Sequence, residues 1–362
     1  MNIKKVRQSK VPQDDNGMHD PSALSRKRRA LLVGGMGAAI ASGLAIASTR
    51  VVRISKGYGL LYLPLLVMEK QRLFERHAAL AGLRGVSVNW ILLDGGNSVD
   101  DAMMAGTLDF AAVGAPGFIE LWARARGIPN VEVIGVSGLS STTLSLNVNQ
   151  PRIVSLGDFT SSDRIAVPGI RTSLAAVVLQ MMASKLLGRH NFAQLDSITV
   201  SLSHPQALDA LIRHEKGITA HFASPPFSTI ESQQPGIHRV VDSTDILGPL
   251  TLDVVYAPKR LVDVEPMLVR VFLGALSEAN DLIARDQTLA ASIYVEASGL
   301  NVSHKDVMQI LSAPETRFSV HPSQLMEYVD FLYMVGTIKA KPRTWNEMFT
   351  PILNDFFPLK AT

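Results

Sequence analysis

The chain has 362 residues, with 35 Lys and Arg against 32 Asp and Glu, 47% hydrophobic residues and no cysteine. That length leaves room for two domains, and that apolar content excludes wholesale disorder. The lack of cysteine excludes disulfides, thiol catalysis, Cys-ligated zinc and iron–sulfur clusters. The basic excess is confined to one end. Residues 1–47 hold eight Lys and Arg and three acids, which leaves 27 basic against 29 acidic residues downstream. The body therefore carries no phosphate-binding field, and nucleic-acid binding is not expected.

The basic end has the three parts of an export signal. A polar region ends at Arg28-Arg29, an apolar stretch runs from Ala30 to Ala47, and Ala45-Ile46-Ala47 supplies the small residues of a cleavage site. Arg28-Arg29 followed by Ala30, Leu31 and Leu32 resembles the twin-arginine type, although Lys27 stands where Ser or Thr is usual. Cleavage after Ala47 and a periplasmic location follow; a retained anchor is the alternative, since the stretch is at the short end for spanning a bilayer.

From Val51 the patterns alternate between strand and helix. A strand over 51–55 precedes the turn Gly57-Tyr58-Gly59, and residues 61–80 have helical periodicity. A strand over 86–93 leads into a short helix within 94–106, capped at Asn97 or Ser98. A buried strand follows over 108–114, then a turn and helix over 115–127, and a strand over 131–137. The pattern restarts with strands at 143–149 and 163–169, a helix over 170–188, and further alternation through 197–202, 205–217, 218–224, 226–234 and 238–243. A strand over 251–258 leads back, and from Glu265 onward the patterns are nearly all helical.

Strands separated by helices predict mostly parallel, doubly wound sheets. The expected architecture is α/β with two lobes, the hinge crossed twice, and C-terminal helices. Lobe 1 is assigned residues 48–146 plus 251–362, and lobe 2 residues 147–250. A cleft between two open sheets takes its ligand beyond the carboxyl ends of the strands. Applied to this chain, that rule selects Tyr58, Asn97, Ser98, Ala115, Ser137, Arg171, Thr172, Ser173, Ser224 and Phe227. Glycines at the junctions let backbone N–H groups approach a ligand, and helix starts present unpaired donors to an anion. Thr172 and Ser173 would donate to a ligand oxygen and Arg171 would pair with its charge. Tyr58, Phe118 and Phe227 would wall the cleft for an organic solute. His204 also falls in the cleft, where a lone histidine is more often structural. No metal-ligand spacing, phosphate loop, dinucleotide fingerprint or nucleophile elbow is visible, and neither metal nor cofactor is expected.

Four stretches resemble the periplasmic solute-binding proteins of the nitrate/sulfonate/taurine class, which serve ABC importers. Residues 59–78 look like that family's first helix, with Gln71 in place of its common glycine. Residues 101–119 look like its glycine turn, Asp and strand. Residues 218–231 and 250–263 look like the second lobe's site loop and the return crossing. The resemblance covers roughly 51–340. It implies two α/β lobes (the type II fold), a small anionic or zwitterionic solute captured by hinge closure, delivery by a monomer to ABC permease subunits, and no chemistry on the solute. An exported enzyme, with His204 or Asp253 as acid or base, and a pyrimidine-binding protein on the same fold are the alternatives.

Overall fold

The computed structural model describes residues 50–215 and 217–356. The export signal expected over residues 1–47 lies outside them. Among the described residues, no helix is long and apolar enough to cross a membrane.

The chain enters through β1 (Arg50–Lys56), whose inward residues Val52 and Ile54 are fully buried. Residues 61–80, expected as one helix, form two: α1 (Leu63–Lys70) and α2 (Leu73–Leu80). The break is Arg72, at φ 51° in the left-handed region, and it turns Leu73 and Phe74 into the core. Strand β2 (Val86–Leu92) runs parallel to β1, pairing Arg50 with Val86 through Lys56 with Leu92. Next come α3 (Gly96–Met104), β3 (Ala111–Gly114), α4 (Ala115–Ala125) and β4 (Val133–Ser141).

The chain then builds a second sheet. Its elements are β5 (Ser145–Val148), β6 (Ile165–Val167), α5 (Leu174–Leu186), β7 (Thr199–Ser201), α6 (His204–Ile212), β8 (Ala220–Ala223), α7 (Phe227–Ser232), β9 (His238–Asp242) and α8 (Ser243–Leu247). The return path is β10 (Asp253–Pro258), followed by α9 (Lys259–Val264), α10 (Pro266–Arg285), α11 (Gln287–Ser298), α12 (His304–Ser312), the short β11 (Arg317–Phe318) and α13 (Leu325–Met334).

Lobe 2 has the strand order β7-β6-β8-β5-β9, and lobe 1 has β11-β4-β10-β3 with the β1–β2 pair beside it. A bridge between Ile54 and Phe110 ties that pair to β3. The sheets are mixed rather than mostly parallel. β10 runs antiparallel to both β3 and β4, and β5 antiparallel to both β8 and β9. These are the strands that receive the chain as it crosses between lobes. A crossing strand is not the product of a right-handed βαβ unit, so the rule that predicts parallel pairing does not reach it.

Two segments connect the lobes, 142–144 and 248–252. Each is anchored to a neighbouring element: Leu144 N–H donates to Ser243 Oγ of α8 at 2.8 Å, and Leu252 N–H donates to Ser140 O of β4 at 2.8 Å. In lobe 1, Phe74, Phe110 and Phe272 pack together, the last two stacked at 4.6 Å between ring centres. In lobe 2, α5 buries Val177, Val178, Met181 and Met182, the last two as core, as their spacing predicts.

Candidate functional site

Four glycines of lobe 1 lie at strand-to-helix junctions, and each meets lobe 2. A Cβ on Gly59 would stand 3.4 Å from Ser224 Oγ and from Pro225 O, one on Gly95 3.5 Å from Pro168 O, and one on Gly96 3.6 Å from Thr172 O. Gly114 is the tightest: a Cβ there would come within 2.6 Å of the Leu174 Cβ. Leu60 N–H donates to Pro225 O at 3.1 Å, beside the cis Pro225–Pro226 bond, and Tyr58 packs against Leu208, Ala223 and Phe227. The lobes are therefore closed on each other.

Closure leaves a cavity of about 60 Å³ walled by both lobes. Lobe 1 contributes Tyr58, Tyr62, Asp94, Asp253 and the glycine junctions; lobe 2 contributes Pro168, Ser173, Leu174, His204 and Ser224. A water-sized probe needs about 10–15 Å³, so the space suits a compact group of a few heavy atoms.

The ten residues selected from the sequence divide three to seven. Tyr58, Ser173 and Ser224 line the cavity. Asn97 and Ser98 do not, because α3 starts at Gly96, two residues earlier than a cap at Asn97 would require. They face solvent in its first turn, and Gly95 is the N-cap, with no side-chain cap. Ser137 was expected at a strand end, but β4 continues to Ser141, so Ser137 lies buried in mid-strand. Ala115 follows β3 directly, and its N–H is taken by Leu252 O at 2.8 Å. Arg171 is exposed, at φ 64°, and its Nε pairs with Asp196 Oδ2 at 3.2 Å. Thr172 does not cap α5; Ser173 does, accepting from Ala176 N–H at 3.2 Å and donating to Gly169 O at 2.8 Å. Phe227 is fully buried and stacks on His204 at 5.1 Å. Phe118, the third expected wall, lies in the lobe 1 core against Tyr256 and Phe349.

Two carboxylates dominate the chemistry. Asp253, the first residue of β10, is 1% exposed. It accepts from the Tyr62 hydroxyl at 3.2 Å and from Ser140 Oγ at 3.4 Å. Burial pushes its pKa up to about 7, against the pull of those two donors. Asp94 follows β2. Burial raises its pKa too, offset in part by the backbone N–H groups of His204 and Gly95, and its Oδ2 is buried without a partner. The start of α6 is thus faced by an acid from the opposite lobe.

His204 heads a polar chain that runs into lobe 2. Its Nδ1 lies 2.9 Å from His221 Nε2, and His221 Nδ1 bonds the Glu231 carboxylate. His221 and Glu231 are fully buried, and Asn147 Nδ2 donates to Glu231 Oε2 at 3.0 Å and to Ser228 O at 2.8 Å. Burial, with His221 beside it, holds the His204 pKa well below the usual imidazole range, so this ring is neutral at pH 7. Sequence reasoning missed Asp94, and Tyr62 was absorbed into a helix. Asp94 could have been found: it opens a glycine pair at a strand end, where the carboxyl-end rule already pointed. Among the described residues, no group of three or more His, Asp or Glu could hold a metal ion.

No protein-family model matches the sequence, and no curated protein matches it. Solved structures do. The alkanesulfonate-binding protein SsuA from Xanthomonas axonopodis pv. citri, bound to MOPS, is 17% identical over 80% of this chain and 94% of its own, with a TM-score of 0.62. The periplasmic nitrate-binding protein NrtA from Synechocystis PCC 6803 is 12% identical over 85% of this chain and 88% of its own, at 0.61. The ligand-binding component of an ABC-type import system from Staphylococcus aureus, with zinc bound, is 14% identical over 84% and 98%, at 0.60. The chain has the two-lobed periplasmic-binding-protein fold of these solute-binding components, as the resemblance implied.

Proposed function

We propose that the protein is the extracytoplasmic solute-binding receptor of an ABC importer. It closes two lobes over a small solute, delivers it to permease subunits as a monomer, and does no chemistry on it. The reading is carried by one observation: a cavity walled by both lobes, with the buried polar atoms Asp94 Oδ2 and Ser224 Oγ left unpartnered beside it. Buried polar groups without partners are costly, and a ligand seated there would satisfy them. The similar alkanesulfonate-binding and nitrate-binding proteins support the role and offer alkanesulfonate and nitrate as solute classes to try.

Export and processing belong to the same reading. The mature chain would begin at Ser48, and the intact mass of the protein recovered from the periplasm checks this. The test of the receptor role is X-ray scattering of the mature chain with a thermal-shift screen of sulfonates, nitrate, organic carboxylates, amines and pyrimidines. A ligand that raises the melting temperature should also shrink the radius of gyration without being consumed. A ligand at 100 times its Kd stabilises by about 2.7 kcal/mol, an easily read shift.

The exported-enzyme reading has one observation in its favour, the His204–His221–Glu231 chain ending at the cavity. Turnover of a bound ligand, lost in His204→Ala while binding persists, would establish it in place of the receptor.

A further inference from the structure

The cavity carries more information about its solute than the fold does. Both of its ionisable acids, Asp94 and Asp253, come from lobe 1, and no Lys or Arg lines it. The one cation selected from the sequence, Arg171, is exposed and engaged with Asp196. His204, the remaining basic side chain, is held neutral by burial. From its own side Asp253 receives only two hydroxyls, at 3.2 and 3.4 Å, and Asp94 keeps an oxygen with no partner. Ser224, 1% exposed, adds a second unpartnered oxygen from the opposite lobe. The set consists of acceptors and hydroxyls. A buried carboxylate with no cation beside it is electrostatically incomplete, and closure over an anion would make that worse.

We propose that the solute carries a compact organic cation, a protonated amine or an amidinium, seated between Asp94 and Asp253 with Ser224 as a further acceptor. This rests on the receptor reading and narrows it. The tyrosines suit it: Tyr62 donates to Asp253, which leaves the carboxylate's remaining lone pairs for the ligand, and Tyr58 also lines the cavity. The cavity volume of about 60 Å³ sets the size of the group it encloses.

The test uses the mature chain and four probes at millimolar concentration: ethylammonium, methylguanidinium, nitrate and methanesulfonate. Binding is followed by calorimetry and thermal shift, and closure by scattering. The expected result is binding by at least one cation and by neither anion. Cation affinity should rise as the pH is raised through 7 and then level off, because Asp253 becomes the charged partner. Asp253→Asn should lower that affinity at least about tenfold, the loss of one charge pair. Asp94→Asn should do the same, and it provides an independent measurement if Asp253→Asn folds poorly. Ser98→Ala, on the exposed face of α3, should leave binding unchanged. Failure of both cations to bind overturns the cation inference. If the anions bind and compact the protein in that case, the receptor reading stands; if no probe and no compound of the wider screen produces compaction, both fail.

Discussion

The two lobes meet the cleft with different chemistry. Lobe 1 presents bare backbone at Gly59, Gly95, Gly96 and Gly114, with two acids set among it. Lobe 2 presents side chains: Ser173, Leu174, His204 and Ser224. The helix starts differ in the same sense. In lobe 2, Ser173 and Ser203 satisfy their own helices, Ser203 through a capping box with Gln206. In lobe 1, α3 has no side-chain cap. Lobe 1 therefore supplies a smooth face and negative charge, and lobe 2 supplies the relief that fits against it. Close approach of the lobes depends on small residues on one side only. Both acids of the cavity likewise come from one side.

The largest expected effect falls within lobe 2. Glu231→Ala removes the partner of buried His221 and leaves the Asn147 amide without its acceptor. Breaking a fully buried pair costs about 3–5 kcal/mol. Urea unfolding should show that loss, and a much smaller one would mean the chain beneath His204 does not hold lobe 2 together.

The next effect belongs to an acid of lobe 1. Burial holds the Asp253 carboxyl near 7, above its ordinary 3.8. An acid with a raised folded pKa favours the closed state while protonated, and that contribution shrinks as pH rises from about 4 towards 7, then stays flat. Its ceiling is roughly 4 kcal/mol, less wherever opening the cleft hydrates the group. The groups that face it are Tyr62, Ser140, Tyr328 and, through Tyr62, Asp94. Stability of the empty protein should therefore decline between pH 5 and pH 7 more steeply in the parent than in Asp253→Asn. Identical profiles would show that this carboxylate stays solvated.

Gly114→Ala separates closure from folding. Gly114 has φ −55°, which alanine adopts readily, so the obstacle is the Leu174 Cβ at 2.6 Å across the cleft. Affinity for any captured solute should fall by about 100-fold, equivalent to roughly 2.7 kcal/mol. The urea midpoint of lobe 1 should barely move, and Leu174→Gly in the same chain should restore part of the binding. Equal losses of stability and binding would mean that Gly114 serves lobe 1 itself. The smallest effect is expected at Asn97→Ala, because that side chain faces solvent on α3. Surface changes of this kind stay within about 0.5 kcal/mol, and both melting and binding should match the parent.

Much of the architecture was legible in the chain. The alternation of strand and helix, the restart after the first strands and the helical C-terminal third are local properties, written in hydrophobic period and in turn residues. The core role of Met181 and Met182 was readable for the same reason. What failed was decided at longer range. The mixed pairing of β5 and β10 depends on which strands a returning chain enters, and no local pattern encodes that. The break at Arg72 is a left-handed residue without a glycine to mark it.

The site divides along the same line. The sequence alone determined that glycine-rich junctions lie at the carboxyl ends of strands, and among them it picked out Tyr58, Ser173 and Ser224. Tertiary structure decided which junctions look inward. A shift of two residues or more at the start of α3 sent Asn97 and Ser98 to solvent, and four more residues of β4 took Ser137 into the sheet. It also decided the charge of the cavity. Asp253 comes from the return strand and Asp94 from the turn after β2, 159 positions apart in the chain. Element ends, and encounters between residues far apart in sequence, are set by packing between elements; hydrophobic period records only which face of each element is buried.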